Sequence, residues 1–201
     1  HFTGTKKGLI ILVNFKDVKF GRTHTRTMFD NIANKKGFTN SLGFKGSVKD
    51  YFLAQSNGQF ELDFDVVGPY TLSQNMAYYG AHTKDDDVDA KAGHMVLEAC
   101  QMADKDVNYK DYDWDGDGEV DQVFVIYAGF GEADGGSEDT IWPHESRLSS
   151  WVGNPYATKD GVSVNTYACG NENTKDMLGR SRINGIGTIC HEFSHCLGYP
   201  D

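Results

Sequence analysis

The chain has 201 residues, 39% of them hydrophobic and 12% aromatic, which is enough to bury a sizeable core in a single domain. Its net charge of −10, from 19 basic and 29 acidic residues, argues against a nucleic-acid partner and favours a protein that binds cations. The longest apolar run is strand-sized and far short of the roughly 18 residues of a membrane-spanning helix, so we expect no membrane span.

The first half of the chain predicts two strands and a short helix between them. The continuous apolar run 9–13 is typical of a central strand covered on both faces. Ser47 and Asp50 form an N-cap pair, and the helix that they begin should end near Asn57 and Gly58. A half-buried strand follows, because apolar and acidic residues alternate from Phe60. Its buried face is predicted to carry Phe60, Leu62, Phe64 and Val66.

A helix is predicted after the acidic triplet Asp85, Asp86 and Asp87. Apolar residues recur at helical spacing from Val88 to Ala103, so the three acids should lie at the positive end of the helix dipole. We interpret them as helix-terminal charges rather than metal ligands. The helix itself should back the sheet.

The second half of the chain predicts two more strands and a final helix. The apolar run 123–127 indicates a buried strand, and the glycine-rich stretch 129–136 indicates a surface loop after it. Residues 163–167 are predicted to form a further short strand. Residues 185–188 should begin the last helix.

Four cysteines permit two disulfides, but the sequence does not determine their pairing. They are Cys100, Cys169, Cys190 and Cys196. The last two lie on one predicted helix, roughly 120° apart around its axis, and cannot bridge to each other without breaking it. We expect buried free thiols, which behave as small apolar residues.

The strongest chemical signal is the pair His191 and His195, one helical turn apart. Their imidazoles project from the same face of a helix and can bind one zinc ion at about 2.0–2.1 Å each. Glu192 lies about 100° further around the helix, where a carboxylate can accept a proton from a water molecule that zinc has made more acidic. This arrangement is typical of metal-assisted peptide hydrolysis.

The residues after this helix indicate a third ligand. Gly198 can end the helix in the left-handed conformation and Pro200 prevents the helix from continuing, so Asp201 can turn back toward the metal. The alternative is that the two histidines are ordinary helix residues followed by a plain helix stop.

An acidic loop before the strand 123–127 predicts a calcium site. Asp113, Asp115, Asp117 and Asp121 occupy positions 1, 3, 5 and 9 of a calcium loop that has glycine at position 6. Position 12 is Phe124 instead of glutamate, so Asp121 would have to close the coordination shell. Glu119, at position 7, would offer its backbone carbonyl. The alternative is a solvated acidic turn.

The remaining histidines carry weaker signals. His144 could border the cleft, or could be a structural histidine among the neighbouring aromatic residues. No spacing gives His24, His82 or His94 a partner.

Several segments, including the zinc motif, resemble the immune inhibitor A family of bacterial secreted metallopeptidases, which are metzincin-like with aspartate as the third ligand. In chain order, the matching segments are 7–13, 47–52, 113–121 leading into 123–129, 141–144 and 191–201.

This resemblance implies an α/β fold of the α+β kind, a zincin-type N-terminal subdomain. It would contain a twisted mixed sheet, a backing helix, and an active-site helix below an edge strand that binds substrate. His191, His195 and Asp201 would be the zinc ligands and Glu192 the general base. We expect residues 1–201 to be one catalytic domain, with a C-terminal subdomain carrying a Met-turn absent from this sequence. The resemblance also implies secretion as a zymogen with its own pro-segment.

The sequence therefore predicts a secreted zinc-dependent endopeptidase that acts on proteins or peptides and contains a structural calcium. Two other functions remain open. The first is a calcium-stabilised, non-catalytic binding or adhesion module on the same fold. The second is a zinc hydrolase that cleaves a non-peptide amide.

Overall fold

The computed structural model describes residues 2–40, 43, 45–83, 86–89, 91–132 and 135–196. Its helices are α1 (Arg26–Asn34), α2 (Val48–Gln55), α3 (Met76–Gly80), α4 (Ala92–Ala103), α5 (Leu148–Val152) and α6 (Ile186–Cys196), with a 3-10 helix at Tyr109–Tyr112. Its strands are β1 (Gly4–Asn14), β2 (Phe60–Thr71), β3 (His82–Thr83), β4 (Asp86–Asp89), β5 (Glu119–Val120), β6 (Val123–Phe130), β7 (His144–Arg147), β8 (Tyr156–Ala157), β9 (Ser163–Val164), β10 (Thr166–Lys175) and β11 (Ser181–Ile183).

The main sheet has the strand order β11-β10-β6-β1-β2. The strands β10, β6, β1 and β2 run parallel to one another. Two antiparallel strands share the outer edge of β10: β7 pairs with its first half and β11 with its end. The result is a mixed sheet of parallel and antiparallel strands, as the resemblance implied.

Helices cover both faces of this sheet. Leu9, Ile11 and Val13 of β1 point into a core layer that includes α4. Ile10 and Leu12 point into the opposite layer, which is formed by α1, α2 and α6. The prediction of a central strand buried on both faces is therefore confirmed, and α4 backs the sheet as expected.

Two further predictions near the N-terminus are confirmed. Ser47 caps α2, because its hydroxyl accepts a hydrogen bond from the Asp50 backbone while the Asp50 carboxylate accepts one from the Ser47 backbone. On β2, Phe60, Leu62 and Phe64 are buried, Val66 is half-buried against the same core layer, and the outward-facing Asp63 is exposed.

The prediction that the acidic triplet begins a helix is wrong. Residues 86–89 form β4, which pairs with β3, and α4 begins only at Ala92 with no acidic residue in its first turn. Strand pairing to β3 outweighs the helical spacing of the apolar residues here. Asp85 lies outside the described residues.

The predicted strand 163–167 is also different in the structure. It divides into β9 and the much longer β10, which continues through a polar segment to Lys175. In the predicted loop 129–136, β6 continues to Phe130 before the chain leaves the sheet. Among the described residues, no helix is long and apolar enough to cross a membrane.

Candidate metal centre

Helix α6 lies against one face of the sheet through its apolar side. Phe193 is fully buried. Its ring meets the Phe64 ring edge-on, with 5.1 Å between the ring centroids, and stacks against the Phe124 ring, with 6.1 Å between the centroids. Near the start of the helix, Thr188 closely approaches Gly170 of β10, where an added Cβ would lie 3.3 Å from the threonine methyl. These contacts fix the position and rotation of α6 on the sheet.

The rotation of α6 brings His191, Glu192 and His195 together. The Nε2 atoms of the two histidines are 3.3 Å apart, and a ligand atom from each of the three residues lies within 4.8 Å of the others. Two nitrogens bound at about 2.05 Å to one tetrahedral ion would be roughly 3.3 Å apart. The donor set and its spacing therefore fit a zinc ion.

Glu192 has the surroundings of a buried general base. Glu192 is only 8% exposed, whereas His191 is exposed and His195 is half-buried. Burial raises the pKa of Glu192, the two histidines oppose this shift, and Glu145 of β7 adds to it. The antiparallel strand β7 therefore lies close enough to the site for the charge of Glu145 to act on Glu192. The Gln122 side-chain amide donates a hydrogen bond to the Glu192 backbone carbonyl.

The third predicted zinc ligand, Asp201, lies outside the described residues, as do Gly198 and Pro200. The structure therefore describes the two-histidine helix and its general-base candidate. The carboxylate ligand remains a prediction.

The acidic loop brings some of its predicted calcium ligands together. Oxygens of Asp113, Asp115 and Asp121 lie within 4.8 Å of one another, and that group does not include Asp117 or Glu119. Asp113 also orders the turn, because its carboxylate accepts hydrogen bonds from the backbone N–H groups of residues 116, 117 and 118. Burial and the neighbouring aspartates raise the pKa of Asp121 to about 6, although the Trp114 N–H opposes them. Such crowding of carboxylates favours a bound cation.

His144 lies in β7 and shares a face of the sheet with its register partner Cys169, whose side chain points into the α4 layer. Its Nδ1 is 2.7 Å from the Trp142 carbonyl, and its Nε2 is 2.8 Å from the Tyr167 hydroxyl. The structure thus gives His144 the partners of a structural histidine and directs it away from the face that α6 covers.

Three cysteines have the environment that the sequence predicts. Cys100, Cys169 and Cys190 are free and buried. Burial raises the pKa of the Cys100 thiol and of the Cys190 thiol to about 12, so both remain protonated at neutral pH. Nothing is described of the Cys196 side chain.

Two histidines without a predicted partner have one in the structure. His24 Nδ1 is 2.6 Å from the buried carboxylate of Glu172, and His82 Nε2 is 3.1 Å from Glu132. Asp89 joins the second pair within 4.8 Å. Because these partners are far apart in the chain, local spacing carries no signal that could have revealed them.

Comparison with known proteins agrees with this geometry. The family model described as immune inhibitor A peptidase M6, catalytic domain, matches residues 3–201. The chain is 28% identical over 234 residues to the pre-pro-metalloprotease PrtV of two Vibrio cholerae serotype O1 strains, covering 98% of this chain and 25% of that protein. It is 26% identical over 235 residues to immune inhibitor A of Bacillus thuringiensis subsp. alesti, covering 97% of this chain and 33% of that protein.

The chain therefore spans about a quarter to a third of the length of these relatives. The match nevertheless covers nearly every residue of the chain, including the α6 histidines and the acidic loop. The chain belongs to the immune inhibitor A family of M6 metallopeptidases.

Proposed function

We propose that this domain is a zinc-dependent endopeptidase that hydrolyses peptide bonds in proteins. The observation that carries the proposal is the α6 cluster, in which two imidazole nitrogens are 3.3 Å apart beside a buried glutamate. His191 and His195 would bind the metal together with Asp201. A bound zinc ion would polarise the substrate carbonyl and make a water molecule more acidic.

Glu192 would act as the general base. Its burial favours the protonated form more than water would, so the carboxylate is suited to accept a proton at neutral pH and to return it. The proton would come from the attacking water and pass to the leaving amine. The antiparallel strand β7, whose Glu145 influences Glu192, would align the substrate as the edge strand of a zincin does.

We also propose a structural calcium ion in the acidic loop, with side-chain oxygens from Asp113, Asp115 and Asp121. Asp117 and the Glu119 carbonyl would complete the coordination shell. The crowding of carboxylates in this loop supports the proposal.

Secretion as a zymogen is a further part of the proposal. The name of the Vibrio relative, a pre-pro-metalloprotease, describes a protein with segments that precede the mature enzyme. By analogy, this domain would be exported by a bacterium and kept inactive by its own pro-segment until cleavage.

The decisive experiment compares the wild type with Glu192→Gln. Zinc content is measured by inductively coupled plasma mass spectrometry and proteolysis with a casein substrate. Because the substitution removes the base and leaves the histidines, we expect zinc to be retained and kcat/KM to fall by about 10²–10⁴-fold. Glu61→Gln is the matched control, since Glu61 lies on β2 and forms an ion pair with Lys49 at 3.2 Å.

Other outcomes would identify the alternatives. Equal proteolysis by wild type and Glu192→Gln, or wild-type protein without zinc, would disprove the proposal. A zinc-loaded wild type that binds proteins without cleaving them would indicate the adhesion module. Cleavage of small acylated amines but not of casein would indicate the non-peptide amidase.

A further inference from the structure

A second cluster of metal-ligating side chains lies on the face of the sheet opposite α6. His82 comes from β3, Asp89 from the end of β4, and Glu132 from the segment that follows β6. One ligand atom from each of these residues lies within 4.8 Å of the other two. They line a cavity of about 540 Å³ together with Glu138, Trp142, His144 and Trp151.

Asp89 is the residue that needs a partner. It is 7% exposed, and one carboxylate oxygen, Oδ2, accepts a hydrogen bond from the Trp142 backbone N–H at 2.9 Å. The other oxygen, Oδ1, is buried and has no hydrogen-bond partner. Buried polar atoms in folded proteins are nearly always satisfied, so an unpartnered carboxylate oxygen beside two other ligand groups points to a cation-binding site.

The spacing and chemistry of the other two residues define the kind of ion. His82 Nε2 and Glu132 Oε2 are 3.1 Å apart, close to the separation of two ligands that bind one ion at about 2.1 Å. An imidazole together with carboxylates suits zinc or manganese, whereas calcium and magnesium prefer oxygen ligands alone. A divalent cation would also relieve the repulsion between the carboxylates of Asp89 and Glu132.

We propose that His82, Asp89 and Glu132 form a second binding site for a divalent transition metal, separate from the zinc site on α6. The ion would connect the β3–β4 hairpin to the segment after β6. It would thereby fix the edge of the α4 layer. This proposal does not depend on the proposed peptidase activity.

The test isolates the second site by removing the first. In a His191→Ala/His195→Ala background, zinc bound per chain is measured by mass spectrometry after gel filtration, with excess calcium present to keep zinc out of the acidic loop. We expect this background to retain one equivalent of zinc. Adding Asp89→Asn should remove that equivalent, because the neutral amide is a poor ligand.

Two further variants make the result interpretable. Asp139→Asn removes the same charge from an exposed residue that follows the cavity-lining Glu138 in the chain, and this variant should keep the zinc. Glu132→Gln alters a less buried ligand, should fold, and should lose the zinc, so it decides the outcome if Asp89→Asn does not fold. Near-ultraviolet circular dichroism checks the fold of each variant.

The proposal is overturned if the His191→Ala/His195→Ala background binds no zinc. It is equally overturned if Glu132→Gln in this background folds and still binds one equivalent of zinc. It is also overturned if Asp139→Asn loses zinc as Asp89→Asn does, because binding would then reflect general surface charge.

Discussion

Glu172 in β10 is a fully buried carboxylate whose oxygens contact groups from distant parts of the chain. One oxygen accepts a hydrogen bond from the Gly21 backbone N–H at 2.7 Å and lies 2.6 Å from His24. The other accepts a hydrogen bond from the Gly129 N–H at 2.9 Å. Since a buried carboxylate is stable only with such partners, Glu172 connects the segment before α1 to the centre of the sheet.

Glu172→Ala should destabilise the fold strongly. The substitution removes a buried acceptor from two backbone N–H groups and from His24, so we expect a loss of about 3 kcal/mol in the free energy of unfolding. Urea denaturation measures the loss. The control is Glu61→Ala at a more exposed ion pair, which should cost less than about 1 kcal/mol. Equal effects of the two substitutions would contradict this role for Glu172.

Two helices contain a glycine whose surroundings differ sharply. Gly93 of α4 lies against Trp151 of α5, and an added Cβ would overlap the indole ring. Gly187 in the first turn of α6 is exposed, and an added Cβ there would meet nothing within 4 Å. Two glycines in helices therefore have different reasons to be glycine.

The same substitution should have opposite effects at these two positions. Gly93→Ala should destabilise the protein by about 1–3 kcal/mol, because Trp151 must move. Gly187→Ala should stabilise it by less than about 1 kcal/mol, because alanine favours the helix and nothing obstructs its methyl group. Thermal unfolding of both variants tests this, and a destabilised Gly187→Ala would show that α6 is packed differently.

A contrast between local sequence pattern and contacts with distant residues explains which elements could be predicted from the sequence. The strands β1 and β2, the capped helix α2 and the helix α6 have local sequence patterns that agree with their structure. The beginning of α4 and most of β10 depend on distant partners, because β4 pairs with β3 and β10 pairs with β6 although it contains the buried polar residues Asn171 and Glu172. Likewise, the spacing of His191 and His195 predicts their cluster, whereas only the fold brings His82 to Glu132.

At the scale of the whole molecule, the acidic loop connects the proposed calcium site to the hydrophobic core. Trp114, within this loop, packs against Phe2 and Phe60, and its indole N–H donates a hydrogen bond to the Lys7 carbonyl at 2.7 Å. The Lys6 ammonium donates in return to the Trp114 carbonyl at 2.9 Å. An ion that orders the loop would therefore also stabilise the attachment of β1.

Calcium should raise the thermal stability of the protein while zinc is held constant. At a free calcium concentration 100 times the Kd, binding contributes about 2.7 kcal/mol, which corresponds to roughly 5–10 °C in Tm for a chain of this size. Asp115→Asn should abolish the calcium response, because it removes a ligand that lies at the surface of the loop. Asp111→Asn, outside the loop, should leave the response intact. A Tm insensitive to calcium chelation would remove the case for a structural ion.

The strand that unites the two core layers has a further consequence before folding is complete. Residues 9–13 of β1 are each at most 1% exposed in the folded protein. In an unfolded chain, the same five consecutive aliphatic residues are a segment that can pair with copies of itself, and the nearby charges of Lys6 and Lys7 oppose such pairing. Refolding at high protein concentration therefore favours aggregation through β1, the strand whose burial joins both faces of the sheet.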